Sequence, residues 1–147
     1  MQPSSWLYDF LRTGAGSTWG GERFRPTAYN DGRGVWTIGY GHTASVKEGD
    51  TCTMVQAVEW LHQDTVNAVV AVNRLVKVPL TQNQFDALVS LVFNCGPDPL
   101  NKALGSMLNA GDYKGAADQF LLWKNAGKMR GVLLPRRQIE RNRFLSA

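Results

Sequence analysis

The chain has 147 residues, 44% of them hydrophobic and 19% charged, a balance that lets one domain bury a core without cross-links and excludes collagen-like, coiled-coil and disordered classes. Sixteen Lys and Arg against twelve Asp and Glu leave a net charge of +4, a mild bias toward anionic partners such as nucleic acid, a lipid surface or cell wall. Cys52 and Cys95 lack metal-ligand spacing and allow at most one bridge, and the burial habits of cysteine favour free, mostly buried thiols.

The segment Met1 to Phe10 has no basic stretch followed by an apolar core and a small-residue cleavage site, so no secretory signal is expected. The most apolar run, Val66 to Val78, is interrupted by Asn67, Asn73, Arg74 and Lys77 and falls short of the roughly 18 apolar residues that a membrane span needs. A chain made in the cytoplasm, without stable membrane insertion, is the expectation.

Ser4 or Ser5 is placed to cap a short helix whose stripe is Trp6, Leu7, Phe10 and Leu11, and Thr13-Gly14-Ala15-Gly16-Ser17 ends it. A glycine-rich loop runs through Trp19-Gly20-Gly21. From Phe24 to Thr43 the pattern is that of strands: Thr27-Ala28-Tyr29, the turn Asn30-Asp31-Gly32-Arg33-Gly34, then Val35 to Gly41 in period-two alternation. Trp36, Ile38 and Tyr40 share one face and Thr37 projects from the other, away from the apolar side.

Beyond Gly49 the pattern is helical. Thr53 with Gln56 and Thr81 with Gln84 have capping-box spacing, which predicts helices over Val55 to Leu75 and Asn83 to Asn94. Their core stripes read Val55, Val58, Leu61, Val66, Val69, Val70 and Phe85, Leu88, Val89, Val92. Gly96-Pro97 stops the second, and shorter helices follow over Leu100 to Asn109, Tyr113 to Lys124 and Arg136 to Leu145. With no repeat, low-complexity tract or linker, the expectation is one α+β domain over residues 1–147, a small β-hairpin lobe beside a larger helical lobe.

Cleaving a glycosidic bond without a cofactor takes two carboxyl groups, one to protonate the leaving oxygen and one to activate water or attack. The N-terminal third offers Asp9, Glu22, Asp31, Glu48 and Asp50. Asp31 in the turn and Thr37 on the next strand address one small volume at the hairpin mouth, and Glu22 precedes the first strand. Ordinary turn chemistry accounts for Asp31-Gly32 equally well. His42 reads as a structural hydrogen bonder, and His62 has no partner at metal spacing. Arg136, Arg137, Arg141 and Arg143 read as a basic surface on the last helix, either a solvated face or one that attracts anionic wall polymer or lipid. Trp19, Trp36, Trp60 and Trp123 are core residues or sugar-stacking platforms.

The string from Glu22 to Thr43, with Thr37-Ile38-Gly39-Tyr40-Gly41-His42 at its end, resembles the signature of the phage lysozymes, glycoside hydrolase family 24. The likeness continues in Val78 to Leu88, in Phe93-Asn94-Cys95-Gly96 and in Leu134-Pro135-Arg136-Arg137 with Glu140-Arg141, and is strongest toward compact endolysins of lambdoid-type phages. It implies a lysozyme-like fold and a muramidase that cleaves the β-1,4 bond between N-acetylmuramic acid and N-acetylglucosamine in peptidoglycan, without cofactor or metal. It also implies a monomer that stays in the host cytoplasm until a holin-type protein opens the inner membrane.

In the family a Glu is the general acid, and an Asp and a Thr position the attacking water; Asp31 and Thr37 match these. For the Glu two registers compete. Counting back nine positions from Asp31 gives Glu22, followed by Arg23 where the family has Gly. Keeping the phase of the first helix instead puts Ala15, followed by Gly16, at the Glu position and makes Ser17 to Arg23 an insertion. On that register the chain is an inactive relative that binds wall glycan. A small nucleic-acid-binding domain is the remaining alternative, with no helix-turn-helix, zinc-finger or aromatic RNA-binding signature to support it.

Overall fold

A computed structural model of the chain describes residues 1–126 and 128–146. Among the described residues it has seven α-helices and a two-stranded antiparallel sheet, a mixed α+β composition as expected. The chain divides into two compact units, residues 9–66 and residues 1–8 with 67–147.

The first unit is organised by the hairpin of β1 (Arg25–Asn30) and β2 (Trp36–Gly39), with Tyr29 opposite Thr37 and Asn30 opposite Trp36. The turn is held by side chains that fold back on its own amides: Asn30 Oδ1 accepts from Gly32 and Gly34, and Asp31 Oδ1 accepts from Arg33 and Val35. A second reversal follows at once. Ile38 and His42 exchange two backbone hydrogen bonds of 2.9 Å around Gly39-Tyr40-Gly41, where Gly39 and Gly41 take φ of 64° and 80°. The outer edge of β1 is covered by a segment not expected as strand: Ala28 N–H donates to Asp50 O and Cys52 N–H to Pro26 O, which removes an open edge.

Helix α1 (Ser5–Thr13) buries Leu7, Phe10 and Leu11 completely, three of the four residues of the predicted stripe, and Trp6 is half-buried. Helix α2 (Met54–Leu75) starts on the expected capping box, with Gln56 N–H donating to Thr53 Oγ1 and Thr53 N–H to Gln56 Oε1. Its buried face differs from expectation. Val55, Val66 and Val70 are exposed, whereas Leu61 and Val69 of the expected stripe are buried together with Ala57, Thr65, Ala68, Ala71 and Val72. Small residues, Ala57, Thr65, Ala68 and Ala71, complete the buried face, and a reading weighted toward valine passes over them.

In the second unit, α3 (Gln82–Cys95) carries the reciprocal Thr81–Gln84 capping box and is buried continuously from Phe85 to Val92. The helix expected over Leu100 to Asn109 is two, α4 (Asp98–Asn101) and α5 (Ala103–Asn109), with extended backbone at Lys102 between them. A Cβ on Gly105 would lie 1.7 Å from the Leu100 carbonyl oxygen, so this corner needs glycine. α6 (Tyr113–Gln119) ends in a 3-10 turn, and α7 (Leu134–Leu145) closes the fold. Ser4 does not cap α1 with its side chain; its amide and hydroxyl both donate to the buried Asp86 carboxylate.

The expected basic surface on α7 is overturned. Arg136 and Arg137 are buried with Glu140, whose carboxylate meets Arg136 Nε at 3.3 Å and Arg137 Nη1 at 2.7 Å and accepts from Ser90 Oγ. Arg137 Nε also donates to the Trp123 carbonyl and Arg136 Nη2 to the Ser90 carbonyl. Arg141 pairs with Asp118 at 2.6 Å, and the Arg143 guanidinium lies over Trp6. Buried charge has to be paired or neutralised, and a carboxylate three and four residues along the same helix satisfies both guanidiniums.

Candidate active site

The hairpin turn fixes Asp31. Its Oδ1 receives the Arg33 and Val35 amides at 2.8 and 3.2 Å, while the Arg33 guanidinium reaches Oδ2 at 3.2 Å. The Arg33 amide, then that of Val35 and the Arg33 charge, hold the carboxyl below its ordinary range against an opposing effect of desolvation. Asp31 is therefore an ionised acceptor on a preformed turn.

Thr37 is across the ladder from Tyr29, and its hydroxyl donates to the Val35 carbonyl at 3.3 Å. The expectation of an open position on the polar face is corrected: Thr37 is only 5% exposed, and Ile38 and Gly39 after it are buried as well. β2 is covered on both faces, so simple alternation of exposure fails there.

Helix α1 stops at Thr13, after which Gly14, Ala15 and Gly16 all take positive φ. Ala15, exposed with φ 49° and ψ 44°, turns out of the helix. The Leu11 carbonyl, the acceptor that residue 15 would use in a continuing helix, receives the Glu22 N–H at 2.7 Å. The Arg12 carbonyl likewise receives the Arg23 N–H at 3.1 Å. The Glu22 and Arg23 amides thus take the hydrogen-bonding places that residues 15 and 16 would hold in a continuing α1. Arg23, where the family has glycine, takes a left-handed φ of 61°.

The Glu22 side chain lies over the Gly41 backbone: a Cβ on Gly41 would come within 3.1 Å of Glu22 Oε2. The charges of both acids act on Tyr29. Burial raises its phenol above the ordinary range, and the charges of Glu22 and Asp31 push the same way, while Arg25, 4.6 Å from the ring centroid, opposes them. Sequence reasoning missed both the Arg33 clamp and the place of Tyr29; the Asx-type turn was a signal for the first, and the second needs the strand register.

His42 has the structural role expected. Its Nδ1 is 2.8 Å from Asp64 Oδ2 and its ring stacks on Trp60 at 4.5 Å. Trp19 packs on Phe10, and Lys102 Nζ lies over Trp123. Cys52 and Cys95 are both free and half-buried, and burial raises each thiol above its ordinary range. Among the described residues no cluster of His, Cys, Asp and Glu is arranged to hold a metal ion.

A two-stranded hairpin that carries an Asp and a Thr, in a chain otherwise helical, has the composition of a lysozyme-class fold, and comparison with known proteins agrees with that class. The family model described as phage lysozyme matches residues 20–140. The endolysin of Salmonella phage P22 is 48% identical over 132 residues, covering 86% of this chain and 89% of its own length. A crystal structure of a P22 lysozyme mutant superposes with a TM-score of 0.80 at 43% identity, and the muramidase domain of SpmX from Asticaccaulis excentricus with 0.84 at 35%, each covering 99% of both chains. The chain belongs to the phage lysozyme family, as a glycoside hydrolase of the endolysin type.

Proposed function

We propose that Glu22 is the proton donor and that Asp31, with Thr37, holds the attacking water in hydrolysis of the β-1,4 bond between N-acetylmuramic acid and N-acetylglucosamine. The observation that carries this reading is the bond from the Glu22 amide to the Leu11 carbonyl, which ties the carboxyl to the end of a helix instead of leaving it on a free loop. Glu22 gives its proton to the glycosidic oxygen. Asp31, kept ionised by the Arg33 and Val35 amides, draws a proton from water as the water attacks the anomeric carbon from the opposite face. The product is inverted, which requires carboxyls roughly 6.5–9.5 Å apart, room for that water. No cofactor takes part.

The rival reading, an inactive glycan binder with Ala15 at the acid position, is disfavoured by the exposure of Ala15 and its departure from the helix. As an endolysin, the protein acts as one monomeric domain on wall glycan strands and reaches them from the host cytoplasm once a holin-type protein has opened the inner membrane. The test is digestion of purified Gram-negative peptidoglycan, with new reducing ends counted and their anomeric configuration read by proton NMR at early times. Inverted product supports the reading; retained configuration, or no new reducing ends, contradicts it.

A further inference from the structure

Between the end of α1 and Glu22 the chain makes a seven-residue detour, Ala15 to Gly21, and comes back onto the helix it left. Two backbone hydrogen bonds make the return: Glu22 and Arg23 donate to the Leu11 and Arg12 carbonyls at 2.7 and 3.1 Å. The neck of the detour admits only glycine. A Cβ on Gly14 would lie 2.7 Å from the Gly20 amide nitrogen, and one on Gly21 would lie 2.4 Å from the Thr13 nitrogen and 2.5 Å from the Arg12 carbonyl carbon and oxygen. Inside the detour, Trp19 lies on the buried ring of Phe10, with centroids 4.8 Å apart. The Arg23 guanidinium closes over Gly20 from the other side, its Nη2 3.1 Å from where a Gly20 Cβ would stand.

We propose that Gly21 and Trp19 are positioning residues for the acid, and that Glu22 is spliced onto α1 through space rather than along the chain. The inference rests on the reading of Glu22 as proton donor. Gly21 lets the returning backbone lie flat on the Arg12–Thr13 peptide, and Trp19 anchors the detour so that this contact persists. Covalent continuity does neither job here, because seven residues that follow Gly14 and end in Gly21 constrain their closing point weakly. One consequence is that the detour can be cut out. Deleting residues 15–21 joins Gly14 to Glu22, gives Glu22 the place of residue 15 in an unbroken helix, and keeps both carbonyl acceptors.

The test compares the parent, Gly21→Ala, Trp19→Ala, the chain lacking residues 15–21, and Glu22→Gln. Two readouts are taken: kcat and KM on soluble peptidoglycan fragments, and hydrogen exchange at the Glu22 and Arg23 amides. In the parent these two amides exchange as slowly as those of the last turn of α1. Gly21→Ala loses that protection and at least about tenfold in kcat, with KM within about twofold, the signature of a displaced acid; Trp19→Ala shows a smaller loss of both. The excised chain keeps protection and kcat within about threefold. Fast exchange at Glu22 and Arg23 in the parent overturns the proposal, as does parental exchange and kcat in both point variants, or an excised chain that folds without turnover. Parental turnover by Glu22→Gln overturns the assignment of the acid instead, and the exchange data then still decide the splice.

Discussion

Arg33 and Asp31 meet at 3.2 Å on the tip of the hairpin with side chains 62% and 15% exposed, whereas Arg137 and Glu140 meet at 2.7 Å with neither side chain exposed at all. The chemistry of the two pairs is the same, and their consequences differ because the solvent differs. Water screens the hairpin pair, so its contribution to stability is small; the carboxyl is held ionised and aimed chiefly by the Arg33 amide, with the Val35 amide and the guanidinium adding to it. The pair within α7 has no water to fall back on, so loss of one partner strands a charge in the core. On the proposed function the polar contacts of the hairpin serve chemistry, whereas those of the helical unit keep it folded.

Several variants break this contrast if it is wrong. The largest effect is expected at the hairpin: Asp31→Ala lowers turnover on peptidoglycan by about 10²–10⁴-fold, the range for a positioned acid or base. Its thermal midpoint should stay near the parent's, because the lost contacts are exposed. Thr37→Val, which keeps the buried shape, also lowers turnover severely. Near-parental lysis by either removes that residue from the site. In the helical unit Glu140→Leu does the reverse. It leaves Arg136 and Arg137 without their shared carboxylate and costs about 3–5 kcal/mol, seen as a fall in urea midpoint, while the fraction that remains folded turns over at the parental rate.

The smallest effect sharpens the contrast by pH. Because the folded-state pKa of Asp31 lies below its ordinary value, its ionised form is favoured by folding. That contribution is present above the unfolded carboxylate pKa and is lost as pH falls through the lower folded value. The acidic limb of kcat/KM governed by Asp31 therefore lies below the ordinary carboxylate range. Arg33→Ala moves the limb upward only slightly, since the larger cause, the Arg33 backbone amide, survives the substitution. A large upward shift would mean that the guanidinium, not the turn, controls the carboxyl.

Local chemistry made much of the fold legible. The Asn30 to Gly34 turn and the two capping boxes are short-range devices whose partners lie within four residues, and sequence reads those directly. Buried faces were harder. On α2, small Ala57, Thr65 and Ala68 are buried while bulky Val66 and Val70 are exposed, because the phase of a helix is set by what it packs on. Arg136 and Arg137 look like surface until the Glu140 and Ser90 contacts are known. At the site, Asp31 and Thr37 followed from a motif, but the placing of Glu22 did not. The bond from its amide to Leu11 spans the whole detour and uses only backbone atoms, so no side-chain pattern records it, and the Ala15 register stayed open for that reason.

The central claim, that Glu22 carries the proton donor in helical phase while Ala15 has left the helix, is tested most directly by turnover of purified peptidoglycan by four proteins: the parent, Glu22→Gln, Ala15→Glu, and the double variant. The account predicts an active parent, a loss of about 10²-fold or more in Glu22→Gln, no gain in Ala15→Glu, and no rescue in the double variant. An inactive parent that gains lysis with Ala15→Glu, or a Glu22→Gln protein as active as the parent, would contradict it.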